Sequence, residues 1–167
     1  MKASIVAAVA GFLALLAPLA APAQMGGMNA QDITFVRNAA QGGLAEVADA
    51  RLALRRSRTP DVDRFAQRMI VDHSMANQRL TGILRREGMP VPQGAGRADG
   101  ALHAKLESLH GAAFDSAYLS SQRRAHQQTV QLFQSEIARG QDNRLVLFAQ
   151  DTLPIVQSHL AMLAHGM

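Results

Sequence analysis

Apolar residues recur every three to four positions along four long stretches of this chain, and no stretch alternates apolar and polar in the manner of a half-buried strand. That period is the mark of amphipathic helices. The first stretch predicts a helix from about Asp32, read as its N-cap, to about Ser57. Gly42 and Gly43 in its interior each cost roughly 1 kcal/mol relative to alanine, which implies a neighbouring helix packed close against them. The second begins at Thr59, also read as an N-cap, with Pro60 in the first turn and Asp61 and Asp63 at the positive helix end. It stops at Gly88, ahead of Pro90 and Pro92. Residues 88–98 read as a Gly/Pro loop, followed by a short helix over about Asp99 to Leu109 that ends before Gly111. The third long helix covers about Ala112 to Arg139 and closes at Gly140. The fourth runs from near Asp142 to near His165 and Gly166, with a kink or a loosened turn expected at Pro154. Two helical hairpins with short turns, joined by a longer connection that carries a short extra helix, describe an all-α four-helix bundle.

Four polar residues interrupt the apolar stripes: Glu46, His73, His126 and His159, one on each long helix. His73 shares its face with Val62, Ala66, Met69, Ile70, Leu80 and Leu84. His126 lies among Leu119, Val130, Phe133 and Ile137, and His159 among Leu145, Phe148, Ile155, Val156 and Leu163. Glu46 sits closer to the edge of a stripe with Phe35, Ala39, Ala50 and Ala53. Antiparallel partners are level when equally distant from their turn. Glu46 and His73 flank the first turn symmetrically, and His126 and His159 do the same about the Gly140 turn. Both pairs therefore fall near mid-height, and a single cluster of all four is geometrically reasonable.

Buried imidazoles and carboxylates are costly unless they bond to something. Three imidazoles with one carboxylate suit a transition metal, and the expected occupant is one Cu, Zn or Fe ion held by Glu46, His73, His126 and His159. The competing reading is a metal-free, hydrogen-bonded core network. A dinuclear iron site is not expected, because Glu-x-x-His is absent: three residues before the histidines stand Ile70, Arg123 and Val156. Asp72 adjoins His73, but consecutive helical residues point about 100° apart, so it reads as an orienting or capping group rather than a ligand. A surface copper site from His159, Met162, His165 and Met167, with Met25 and Met28, is weaker than the plain reading that Met162 packs in the core and the chain ends fray. Asp115 stands three turns from His126, about 16 Å, and is expected to bond the short helix or an arginine. No nucleophile–base constellation, phosphate loop or zinc-protease motif appears, so an enzyme is not expected.

Lys2, the apolar run Ile5 to Leu16 and Ala21-Pro22-Ala23 resemble a secretory signal peptide over residues 1–23, too short in its apolar part to span a bilayer. Removing those 23 residues from 167 leaves 144: a tether over 24–30 and one domain over 31–167. No segment of that mature chain reads as a membrane span. The absence of cysteine excludes disulfides and thiolate ligands. Without Lys2, 16 basic residues face 13 acidic ones, and the clusters Arg55, Arg56, Arg58 and Arg85, Arg86 fall at predicted helix ends, where cations are favoured. Export and that placement argue against nucleic acid. The expected location is the periplasm or the periphery of the outer membrane.

The run Phe65-Ala66-Gln67-Arg68-Met69-Ile70-Val71-Asp72-His73, then Gly111 through Phe114-Asp115 and Tyr118, His126, Phe148-Ala149, Leu153-Pro154 and His159-Leu160, resembles a bacterial exported family, domain-of-unknown-function family 4142. The resemblance covers about Asp32 to Ala164. It implies a ferritin-like bundle and export, and supplies no reaction. The family's frequent outer-membrane label does not fit a barrel here, since no strand pattern is present. Members often carry an Asp-His pair on the third long helix; here it is Ala125-His126. The competing functions are thus an exported metal-binding module, a metal-free structural or interaction module of the cell envelope, stress-related, with an envelope partner, and a metal-dependent oxidoreductase or hydrolase needing an open coordination position.

Overall fold

The computed structural model describes residues 27–164. The expected leader over 1–23, the first part of the expected tether, and Met25, His165 and Met167 lie outside the described residues. Five helices follow in order: α1 (Ala30–Arg56), α2 (Pro60–Arg86), α3 (Arg97–Glu107), α4 (Gly111–Arg139) and α5 (Asn143–Ala164). The all-α reading holds, and α3 is the short extra helix.

Two helix starts are built differently from the local expectation. Asn29, not Asp32, caps α1, and Asp32 is the third helical residue of a reciprocal capping box. The Asp32 carboxylate also accepts the backbone N–H groups of Gln141 at 3.0 Å and Asp142 at 3.2 Å. Asp32 is therefore a clamp between the start of α1 and the α4–α5 turn. Thr59 makes no side-chain cap on α2. Its hydroxyl donates instead to Asp115 at 2.6 Å, so Asp115 bonds the start of α2 and not the short helix or an arginine. The end of α2 is as expected: Gly88 takes φ +65°, Met89 N–H reaches the Leu84 carbonyl and Gly88 N–H the Arg85 carbonyl, a Schellman closure. Pro154 stands inside α5, which continues across it.

These bonds also set the direction of each helix. Asn29 Nδ2 donates to the Arg139 carbonyl, placing the end of α4 beside the start of α1. Thr59–Asp115 places the starts of α2 and α4 together at the opposite end. With α1 up, α2 and α4 run down and α5 runs up. α1 packs on α2 and α4, α5 packs on α4 and α2, and every such pair is antiparallel. The connection from α2 to α4 must climb the full bundle, and α3 rides in it against α1 and α4. One long crossover joining two hairpins is the ferritin-like arrangement.

The core divides into two apolar halves. One end holds Phe65, Met69, Leu52, Phe114, Tyr118, Leu106 and Leu163. The other holds Phe35, Leu80, Leu84, Phe133, Leu145 and Phe148, with Phe35 meeting Phe133 edge-on at 5.0 Å. Between them runs a layer of buried polar side chains. Of the two interior glycines of α1, Gly43 lies where a Cβ would sit 2.1 Å from Asn77 Oδ1 of α2. The close approach expected there is real at Gly43; Gly42 faces open space instead.

Candidate metal centre

The polar layer is built from residues near the middle of each long helix. Glu46 comes from α1, His73 from α2, His126 from α4 and His159 from α5. His126 and His159 are 1 % and 0 % exposed. One ring nitrogen from each of His73, His126 and His159 falls within 4.8 Å of the other two. The rings stand 5.2 to 5.6 Å apart, His73 edge-on to His126.

The outer nitrogens of two of these rings are anchored. His126 Nδ1 lies 2.9 Å from the Gln122 carbonyl one turn back on α4. A carbonyl only accepts, so Nδ1 carries the proton. His159 Nε2 lies 2.9 Å from Asp72 Oδ2, and there too the ring nitrogen is the donor. Asp72 is held in turn by Arg68, one turn back on α2. A neutral imidazole has one N–H and one lone pair. The two anchors therefore turn the lone pairs of His126 Nε2 and His159 Nδ1 toward each other, at 3.2 Å. His73 Nε2 is buried beside them with no hydrogen-bond partner.

Charge state reinforces this. Burial, with the neighbouring histidines, pushes the His73 imidazole down to about 3. Burial and His159 push His126 down to about 4. His159 is lowered by burial, against the opposing pull of Asp72. All three rings are neutral near pH 7, the ligating form. Tetrahedral nitrogens bonded at about 2.0–2.1 Å lie roughly 3.3 Å apart. The His126–His159 pair already has that spacing, and an orphaned imidazole nitrogen adjoins it. A carboxylate–histidine–metal relay is the ordinary way a ligand tautomer is fixed, and Asp72–His159 has that form. These residues fit a transition-metal ion.

Glu46 is level with the histidines but on the other side of His126. Its Oε1 lies 3.8 Å from His126 Nδ1, the anchored nitrogen, and Oε2 is buried without a partner. Burial first, then the charges of Asp49 and Asp99, raise its carboxyl to about 8 against the opposing Gln122 side chain. The structure thus brings three of the four expected residues into one ring of nitrogens and stands Glu46 outside it. Asp72 and Gln122 complete the layer. Asp72 was visible in the sequence as an orienting group; the Gln122 carbonyl carries no sequence signal.

A cavity of about 500 Å³ opens between α1 and α4 and reaches this layer. Small and polar residues, among them Gly42, Gly43, Glu46, Asp49, Gln122 and Ala125, line it together with apolar side chains such as Leu80, Phe133 and Phe148, and His73 lies on its wall. Elsewhere, Met162 and Met28 pack against the two core halves, in keeping with the plain reading of the methionines.

The fold recurs in solved structures. A DUF305 protein from Streptomyces coelicolor superposes with a TM-score of 0.69 at 17% identity, covering 81% of this chain and 90% of its own. A DUF305 fragment from Deinococcus radiodurans gives 0.73 at 16% identity, covering 83% and 95%. CopM in the Cu(II)-bound form gives 0.64 at 15% identity, covering 81% and 93%. At such identities the likeness is one of fold. No curated protein matches in sequence. The description of one family, domain of unknown function DUF4142, matches residues 17–165, nearly the whole chain, and the protein belongs to that family.

Proposed function

We propose that this protein is an exported binder of one transition-metal ion, copper, zinc or iron, held in the middle of the bundle by His73, His126 and His159. The carrying observation is the pair of lone pairs facing each other at 3.2 Å beside an unpartnered imidazole nitrogen. Two neutral acceptors at that distance repel unless a cation or proton lies between them. All three pKa values are pushed down, so a metal ion is the better occupant near pH 7. Imidazole suits copper, zinc and iron. CopM, of the same fold, was solved with Cu(II). When bound, the ion would supply Lewis-acid or redox chemistry. The chain's own residues orient the ring nitrogens through Asp72 and the Gln122 carbonyl and keep the site dry on the apolar sides. The leader-like residues 1–23 support export to the periplasm or the outer-membrane periphery. Glu46 is the outlying fourth member of the layer.

The test is direct. The mature chain is purified, loaded separately with Cu, Zn and Fe, and assayed for stoichiometry. One ion per chain is expected, lost in His73→Ala combined with His126→Ala. No stoichiometric uptake, or uptake unaffected by that double substitution, would refute the reading. The alternative, a metal-free structural or interaction module of the envelope, is favoured by the chain Gln122–His126–His159–Asp72, which is continuous without an ion if one proton bridges the two rings.

A further inference from the structure

The histidine layer has two flanks, and they differ. On the α2–α5 side, His159 Nε2 is capped by Asp72, which is in turn capped by Arg68. Asp72 is only 11% exposed, so this flank is sealed by an ion pair. On the α1–α4 side lies the 500 Å³ cavity, with His73 on its inner wall. Two oxygens on this wall are buried and unpartnered: Glu46 Oε2 and Gln122 Oε1. Glu46 is 8% exposed and Gln122 2% exposed. Asp49, also on the wall, adds a second carboxylate. An unsatisfied buried oxygen costs about 1–3 kcal/mol, and both belong to residues that line the same cavity as His73, whose Nε2 is likewise unpartnered.

We infer that the cavity between α1 and α4 is the entry route by which a hydrated divalent cation reaches the three histidines, with a carboxyl oxygen of Glu46 and the Gln122 side-chain carbonyl as its transit ligands. This rests on the metal-binding reading above. Hard oxygen donors at the outer station exchange ligands readily with a hydrated ion, and the imidazoles at the inner station hold transition metals more tightly. Glu46 stands on the far side of His126 from the ring of nitrogens, which suits a residue passed on the way in and not one of the final ligands. The helix backbones leave room: a Cβ at Gly42 would meet nothing within 4 Å.

Stopped-flow uptake of Co(II) by the full mature chain tests the route, with the visible absorption of the bound ion as readout. Gly42→Phe plugs the opening from α1 and Ala125→Leu narrows it from α4, so a folding failure in one leaves the other. At least tenfold slower association is expected in each, with dissociation slowed equally and stoichiometry unchanged. Glu46→Gln, equal in volume, should slow association severalfold and leave stoichiometry at one. Wild-type association rates in both plugged variants would overturn the route, as would loss of bound Co(II) in a plugged variant whose fold is intact by circular dichroism. Failure of the wild-type chain to take up any ion would overturn the metal-binding reading itself, a result seen before any variant is made.

Discussion

His126 Nε2 and His159 Nδ1 lie 3.2 Å apart with neither able to donate to the other, because each ring spends its one proton on an outer anchor. The first prediction follows from that geometry. Imidazole ¹⁵N spectra of the metal-free protein at pH 7 should show His126 as the Nδ1–H tautomer and His159 as the Nε2–H tautomer. Zinc should shift the other nitrogen of each ring and leave the tautomers in place. A proton shared between Nε2 and Nδ1 in the metal-free protein would instead support the dry network.

An unpartnered buried nitrogen is a liability to the empty protein. His73 Nε2 makes no hydrogen bond, and the ring lies between two apolar core halves. Replacing it with an apolar side chain of similar size removes a desolvation cost of about 1–3 kcal/mol. His73→Leu should therefore raise the melting temperature of the metal-free protein by several °C. The same variant should lose the rise that zinc gives the wild type, about 2.7 kcal/mol when free metal is a hundredfold above Kd. Thermal melts with and without zinc and a chelator measure both. A destabilised, still zinc-responsive His73→Leu would contradict the assignment.

Asp72 touches the proposed ion only through His159. Asp72→Asn keeps the size of the side chain but loses the charge that holds Nε2–H and makes the ring more basic. Metal affinity should fall roughly 10–100-fold with stoichiometry unchanged, by competition titration against a chromogenic chelator. An effect as large as His159→Ala would make Asp72 a direct ligand; no effect would remove the relay.

The bundle and the level of the polar layer were legible because both follow from spacing within one helix or one hairpin. Equal distance from a turn is enough to set Glu46 beside His73 and His126 beside His159 in height. What spacing cannot give is the rotation of one hairpin against the other, which carries Glu46 to the anchored side of His126 and brings Asp72 of α2 onto His159 of α5. The helix starts were misread for a related reason. Asp32 and Thr59 have the chemistry of N-caps, but partners more than fifty residues away, Gln141 and Asp115, compete for those side chains. Local capping preference is worth about 1 kcal/mol, an amount a part-buried tertiary bond can match. The cavity was invisible because Gly42 and Gly43 look alike in sequence, while only Gly43 faces a neighbour.

That tertiary bond can itself be weighed. The Thr59 hydroxyl and Asp115 Oδ2 meet at 2.6 Å and fasten the starts of α2 and α4. Thr59→Ala and Asp115→Ala should each cost about 1–2 kcal/mol. The double variant should cost less than the sum by about 0.5–1 kcal/mol, the coupling of a direct contact. Urea unfolding of the four proteins closes the cycle, and strict additivity would show that the bond contributes nothing.

The far end of the bundle should set the response to pH between about 4.5 and 7. Glu136 is fully buried at the end of α4, near Asp32 and Asp142. Burial, then the Asp32 carboxylate, raises its carboxyl to about 7 from an ordinary 4.5, with Gln31 opposing. In the unfolded chain the group ionises near 4.5. Between that pH and about 7 the folded protein therefore binds the extra proton, and stability from this group falls as pH rises. It is fully present below 4.5 and gone above about 7. Glu136→Gln keeps the shape and abolishes the titration. The variant should match the wild type near pH 4.5, gain on it steadily to about pH 7, and hold a constant advantage on the order of 1–3 kcal/mol above that. Parallel stability curves for the two proteins from pH 4.5 to 8, by urea unfolding, would show that the Glu136 carboxyl titrates as an ordinary surface acid.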